Sequence, residues 1–203
     1  MAQQVFATKG NLINAKHSLK QAQLGYELMD RKRNILIREM VTLTDKAKEL
    51  SGTLENIYAE AYAALQNANI IDGVLLEKSK SMPIDNTVSI SYRSVMGIEL
   101  PNLSGGDPEP KLCYSLADTD SSYDKAYACF LKAKQTGLLL AEIENSVYRL
   151  SVAIRKSQKR ANALKNILIP TYRAQVKFIS EALEEKEREE FSRQKIIKAT
   201  KAK

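Results

Sequence analysis

Residues Thr8–Leu50 read TKGNLINAKHSLKQAQLGYELMDRKRNILIREMVTLTDKAKEL, and the spacing of their apolar side chains decides the fold. Leu12, Ala15, Leu19, Ala22, Tyr26, Met29, Leu36, Met40, Leu43, Ala47 and Leu50 follow one another at steps of three and four. The series runs on through Leu54, Ile57, Ala61, Ala64, Ala68, Ile71 and Leu75, and only Arg33 interrupts it. A 3.5-residue apolar repeat held this long winds helices into a left-handed supercoil. Thr8 offers an N-cap. A helix from Thr8 to Lys80 would reach roughly 110 Å at the usual rise per residue, so it must project from any compact body.

A second stripe begins near Ser121 and runs to about Thr200. It reads Ala126, Cys129, Ala133, Thr136, Leu140, Ile143, Val147, Leu150 and Ile154, then Ser157, Ala161, Leu164, Leu168, Thr171, Gln175, Phe178 and Ala182. Two matching stretches in one chain favour an intramolecular antiparallel pair, and a homodimeric coil is the competing arrangement. Ala and Ser on the seam let backbones approach closely. Pro170 lies inside the second stretch; its missing donor and ring clash predict a kink, with an intrinsic penalty of roughly 3 kcal/mol.

The insert between them has strand texture. Val88, Ile90, Tyr92, Met96, Ile98 and Leu100 alternate with mostly polar residues. Pro101 reads as the strand's end, SGGDPEP (Ser104–Pro110) as a loop, and Leu112, Tyr114 and Leu116 as the returning strand. The organisation expected is therefore a first long helix over 1–80, an insert with a β-hairpin over 81–119, and a second long helix with a basic tail over 120–203. The fold class is mainly α, a long antiparallel left-handed two-helix coiled coil with a small hairpin insert.

Composition agrees with long helices. The 203 residues include 8 Gly, 5 Pro and no Trp, and 27% are charged. Two cysteines, Cys113 and Cys129, match no zinc or redox spacing, and the lone His17 completes no metal site. No phosphate-binding GxxxxGK[ST] and no Ser/His/Asp set occurs, so no cofactor, metal or catalytic residue is expected. No run of about eighteen apolar residues is present, and the N-terminus lacks the apolar stretch of a signal peptide; a cytoplasmic protein is expected.

Charge is uneven along the chain. The net charge is +7, and Asn145–Ser180 holds eight Lys or Arg and no acid. Such a field implies an acidic partner surface, nucleic acid or lipid. Arg149, Arg155, Lys156, Lys159, Arg160, Lys165, Arg173 and Lys177 ring the helix where a nucleic-acid binder would more often line one groove. The acidic run EALEEKEREE (Glu181–Glu190) is interleaved with Lys186 and Arg188 and reads as a solvated helix face.

Three segments resemble a known family. ATKGNLINAKHSLKQAQLGYELMDRKRNILIREM (Ala7–Met40), with Ala22 and Gly25 and then Lys32 and Arg33, is similar to the N-terminal signature of the D subunits (central rotor stalk) of V/A-type rotary ATPases. SVMGIELP (Ser94–Pro101) resembles that family's hairpin motif, and RANALKNILIP (Arg160–Pro170) followed by FISEALEEKEREEFSRQKIIK (Phe178–Lys198) resembles its C-terminal half. Lys165 departs from the pattern, where the family usually carries Glu. The short tail resembles prokaryotic members. The resemblance covers essentially the whole chain.

It implies a non-catalytic central-axle subunit that transmits rotation between the ATP-hydrolysing hexameric head and the ion-translocating membrane rotor. The implied partners are the catalytic and regulatory A and B subunits of the head, the small F subunit of the stalk, and a funnel-shaped subunit above the rotor ring. Nucleic acid is not among them, and the membrane is met only indirectly. The belt Arg149, Arg155, Lys156, Lys159, Arg160, Lys165, Arg173 and Lys177, with Arg188, Arg193, Lys195 and Lys198 of the tail, is expected to face the inside of the head. Ala59, Tyr62, Ala63, Tyr123, Tyr127 and Phe130 are expected to dock a stalk partner, or else simply to close the end of the coil. The hairpin residues are Val88, Ile90, Tyr92, Met96, Ile98, Leu112 and Tyr114, expected to tune hydrolysis. A coiled-coil scaffold or chaperone and a nucleic-acid adaptor are the rival readings.

Overall fold

In a computed structural model, residues 6–73, 80, 84, 86–106, 114 and 119–201 are described. Helix α1 spans Lys9–Asp72, strands β1 and β2 span Ser89–Val95 and Ile98–Ser104, and helix α2 spans Ser121–Ala163. A π turn, Leu164–Leu168, follows α2 and leads into helix α3, Ile169–Lys201. Thr8 caps α1 as its position suggests: the Asn11 amide donates to Thr8 Oγ1 at 3.2 Å.

The chain divides into two compact units, Met1–Asn34 with Ile154–Lys203, and Ile35–Ala153. In the first, the two long stretches pair antiparallel within one chain. Lys9 meets Glu187 at 3.1 Å, Lys165 lies over the Tyr26 ring at 5.8 Å, and Arg33 donates to Gln158 Oε1 at 2.8 Å. As one partner number rises, the other falls. Ala15, Ala22, Ala161 and Ile179 are buried on the seam, with Leu12, Leu19, Tyr26, Met29 and Leu164 half-buried beside them. Up to Leu164, these are the positions that the three-four spacing selects.

Beyond Leu164 the seam changes phase. The repeat places Leu168, Thr171, Gln175, Phe178 and Ala182 inward; Gln175 and Ala182 are half-buried, yet Leu168 is 40% and Phe178 59% exposed, while Ile179 is 0%. Ile169, Tyr172, Val176 and Leu183 are partly buried on the same new phase, one residue later than the repeat predicts. The π turn is the cause. The Ile169 amide reaches back to Leu164 O, five residues away instead of four, so the turn takes up one extra residue.

The same turn accommodates Pro170. Diverting the Ile169 amide leaves the Lys165 carbonyl without its ordinary donor, and the next amide along belongs to a residue that has none. Two defects thus coincide in one turn. The expected disruption at Pro170 takes the form of this wide turn just before it. Thr171 Oγ1 donates to the Ile167 carbonyl at 2.6 Å and satisfies another oxygen nearby.

In the second unit, α1 and α2 again run antiparallel, with the Tyr62 and Phe130 rings edge to face at 5.6 Å. Leu36, Leu43 and Leu150 are buried at one end; Ala61, Ala64, Ala68, Ala126 and Ala133 form an alanine seam toward the other. Alanine gives up little apolar area but lets helices approach closely. Leu65 and Tyr114 pack against the cluster of Ala64, Ala68, Tyr123 and Ala126.

The hairpin differs from the sequence reading. One continuous strand from Val88 to Leu100 was expected, ending at Pro101; instead the run folds back on itself at Met96–Gly97. Met96 (φ 52°) and Gly97 (φ 75°) both sit in the left-handed region that a two-residue hairpin turn demands. β1 and β2 pair antiparallel with Val95 opposite Ile98, Tyr92 opposite Pro101 and Ile90 opposite Leu103. Pro101 therefore lies inside β2. Val88 directly precedes β1. Tyr114 belongs to the helical cluster and to neither strand, while Leu112 and Leu116 lie outside the described residues. Gly105 (φ 107°) admits no side chain, since a Cβ would sit 2.1 Å from the Thr87 carbonyl oxygen.

Candidate functional site

Among the described residues no group of three metal-ligating side chains gathers, and no helix is long and apolar enough to cross a membrane. What the residues build is a set of surfaces, each within one unit.

The first surface is cationic. Arg155, Lys156, Lys159, Arg160, Lys165, Arg173, Lys177, Arg188, Arg193, Lys195 and Lys198 are all exposed. Lys177 and Arg193 lean toward Glu181 and Glu189 at 3.8 Å, contacts worth little in water. Lys195 lies over Phe191 at 5.9 Å. Among the described residues, Arg155, Lys156, Lys159, Arg160 and Arg173 have no carboxylate at ion-pair distance. The same unit also exposes large apolar side chains: Ile13 is 67%, Leu28 62%, Ile167 63% and Phe191 64% exposed.

Arg149, read from sequence as part of that belt, is placed differently. Its Nη1 donates to the Glu99 carbonyl at 3.0 Å, and its guanidinium lies 5.3 Å from the Tyr92 ring centroid. Glu142, also on α2, accepts the Leu103 amide at 2.8 Å. Arg93 pairs with Glu39 of α1 at 3.5 Å. These four contacts hold the hairpin onto its unit, and Leu100 (0% exposed) is buried beneath it. Sequence reasoning missed Glu39 and Glu142 as clamp residues; nothing local marks a helix carboxylate that will meet a strand amide.

The residues expected to dock a stalk partner are divided by the structure. Tyr123 is buried, and Tyr127 and Phe130 are half-buried. Tyr114 stands edge to face with Tyr123 at 4.6 Å and with Tyr127 at 5.8 Å, and its hydroxyl donates to Asp124 Oδ1 at 2.5 Å. Burial and the Asp124 carboxylate push the Tyr114 phenol well above the ordinary range, and burial beside Tyr127 raises that of Tyr123. These rings close the end of the helical pair. Ala59, Tyr62 and Ala63 remain exposed on α1, and Tyr58, four residues before Tyr62, stacks on it at 6.1 Å. That i,i+4 aromatic pair was legible and extends the outward surface.

The comparisons with known proteins agree with one another. The family model for the D subunit of ATP synthase matches residues 11–199. The chain is 40% identical over 196 residues to the V-type ATP synthase D subunit of Thermotoga neapolitana, covering 96% of this chain and 97% of the relative. It is 34% identical over 197 residues to the A-type ATP synthase D subunit of Pyrococcus abyssi, covering 95% and 92%. Against the A-type D subunit of Methanobrevibacter smithii it is 32% identical over 198 residues, covering 95% and 86%. The matched range runs through the residues of both helical stretches and of the insert between them, and the chain belongs to the D-subunit family of ATP synthases.

Proposed function

We propose that this chain is the non-catalytic central axle of a V/A-type rotary ATPase, transmitting rotation between an ATP-hydrolysing head and an ion-translocating membrane rotor. The observation that carries the reading is the antiparallel pairing of two long helices within one chain, in a unit whose outer surface bears cations without partners. Membership of the D-subunit family supplies the complex.

A shaft must resist twisting, and two helices locked along a seam resist it better than a single one. It must also turn without seizing. Exposed ion pairs are worth about 0–1 kcal/mol each, so cations on long stems can change carboxylate partners at each step. In this reading Arg155, Lys156, Lys159, Arg160 and Arg173 face the inner surface of the head formed by the A and B subunits. Tyr58, Ala59, Tyr62 and Ala63 face the small F subunit or the funnel-shaped subunit over the rotor ring. The protein then sits on the cytoplasmic side, peripheral to the membrane.

The test is reconstitution. Mixed with six head subunits, the chain is expected to form a one-to-six complex with rotation-coupled hydrolysis. Changing Arg155, Lys156, Lys159 and Arg160 together to Glu should slow that hydrolysis several-fold without unfolding the chain. Unchanged turnover in the assembled head would count against the assignment.

A further inference from the structure

The two edges of the hairpin are not alike. In a two-residue hairpin, the pair flanking the turn exchanges backbone hydrogen bonds, and alternate pairs beyond it do not. Val95 opposite Ile98 is that flanking pair. Hence Ser94–Glu99, Tyr92–Pro101 and Ile90–Leu103 turn their backbone groups outward.

On β2 each outward position has one backbone group engaged or missing, although the Glu99 amide and the Pro101 and Leu103 carbonyls stay open. Arg149 donates to the Glu99 carbonyl, Glu142 accepts the Leu103 amide, and Pro101 has no amide to leave unpaired. On β1 the same positions are Ile90, Tyr92 and Ser94. Among the described residues no hydrogen bond reaches their outward amides or carbonyls. The strand is exposed along six of its seven residues, with Ile90 at 60% and Tyr92 at 57%. It carries no proline and a single charge, Arg93, which is engaged with Glu39. Lysine, proline or a bulge usually protects such an edge; β1 has none.

We propose that the β1 edge is a docking site for an extended segment of a second polypeptide, which adds a third strand to the hairpin. Donors and acceptors that recur every second residue match an extended backbone and no helix. Exposed Ile90 and Tyr92 would then give the incoming strand apolar side chains to lie beside. The chain's net charge of +7 disfavours a second copy and favours a neutral or acidic strand. The clamp on β2 leaves β1 as the edge open to it. The source of the strand, a partner within the ATPase, rests on the function proposed above.

The experiment is residue-resolved amide exchange on the full chain, free and in the reconstituted ATPase, with assembly checked by size. Ile90, Tyr92 and Ser94 are expected to exchange at least tenfold more slowly in the complex, while Ser91 and Arg93, already bonded to β2, are slow in both. Tyr92→Pro, which removes an outward donor and no β1–β2 bond, should abolish the slowing at Ile90 and Ser94; Tyr92→Thr should keep it. Retained slowing at Ser91 and Arg93 reports that the variant hairpin is intact. Assembly with unchanged exchange at Ile90, Tyr92 and Ser94 overturns this inference alone. Failure to assemble overturns the stalk reading and the source of the strand with it. Slow exchange in the free chain together with a dimeric mass would mean that a second copy fills the edge, and overturns it too.

Discussion

Replacing Ile179 or its neighbour Phe178 by alanine separates two phases of the same helix. The apolar repeat, continued without interruption, buries Phe178; the π turn at Leu164–Leu168 advances the sequence by one and buries Ile179 instead. Ile179→Ala removes three carbons from a fully buried side chain, a transfer loss of about 2.4 kcal/mol at roughly 0.8 kcal/mol per methylene. A residual cavity adds to this, which puts the cost at about 3 kcal/mol, within the usual range of about 2–5 kcal/mol. Phe178, more than half exposed, should cost about 0.5 kcal/mol on truncation, as surface changes do. Urea unfolding followed by helical circular dichroism would read the contrast. With a slope of about 2 kcal/mol per molar urea, Ile179→Ala should lower the midpoint by about 1.5 M, and Phe178→Ala should scarcely move it. A larger loss for Phe178→Ala than for Ile179→Ala would refute the phase shift.

Two further outcomes follow from the second unit. Glu142→Ala should release the Leu103 amide and Arg149→Ala the Glu99 carbonyl, each loosening the hairpin by about 1–3 kcal/mol because one partner is a charged group; faster exchange at Leu103 in Glu142→Ala checks this, and an unchanged rate would argue against the clamp. The raised phenols give a pH dependence with a definite sign. A folded-state value above the unfolded one means that the contribution of Tyr114 is complete below the ordinary tyrosine range and is lost as pH rises through the folded value. In an absorbance titration at alkaline pH, two of the nine tyrosines should ionise late, and Asp124→Asn should bring one of them down. Simultaneous ionisation of all nine would contradict the cluster.

The helical seams were legible because a three-four spacing repeated over so many turns is hard to produce otherwise. Leu36, Leu43, Ala61, Ala126, Ala133 and Leu150 fall where the count puts them. The count failed after Leu164 because a single extra residue leaves no mark in composition; only Pro170 hinted at trouble nearby. The hairpin was placed correctly and paired wrongly. Met96 does not advertise a left-handed turn as Asn would, and Pro101 looks like a terminator unless its outward position is known. The cationic belt was legible as charge, but charge alone could not separate Arg149, engaged with the hairpin, from Arg155 and Lys156, which have no carboxylate partner.

A one-residue insertion in a paired helix would ordinarily rotate everything beyond it by about 100° and carry the apolar face away from its mate. Here five residues absorb that rotation. Helix α3 keeps Ile179 on the seam because the wide turn takes up that one residue; a further insertion or deletion within α2 would not be taken up and would carry Ile179 away. Straightening the turn at constant length would turn Ile179 outward, whereas straightening it by dropping Ile167 would leave the same side chain on the inward phase.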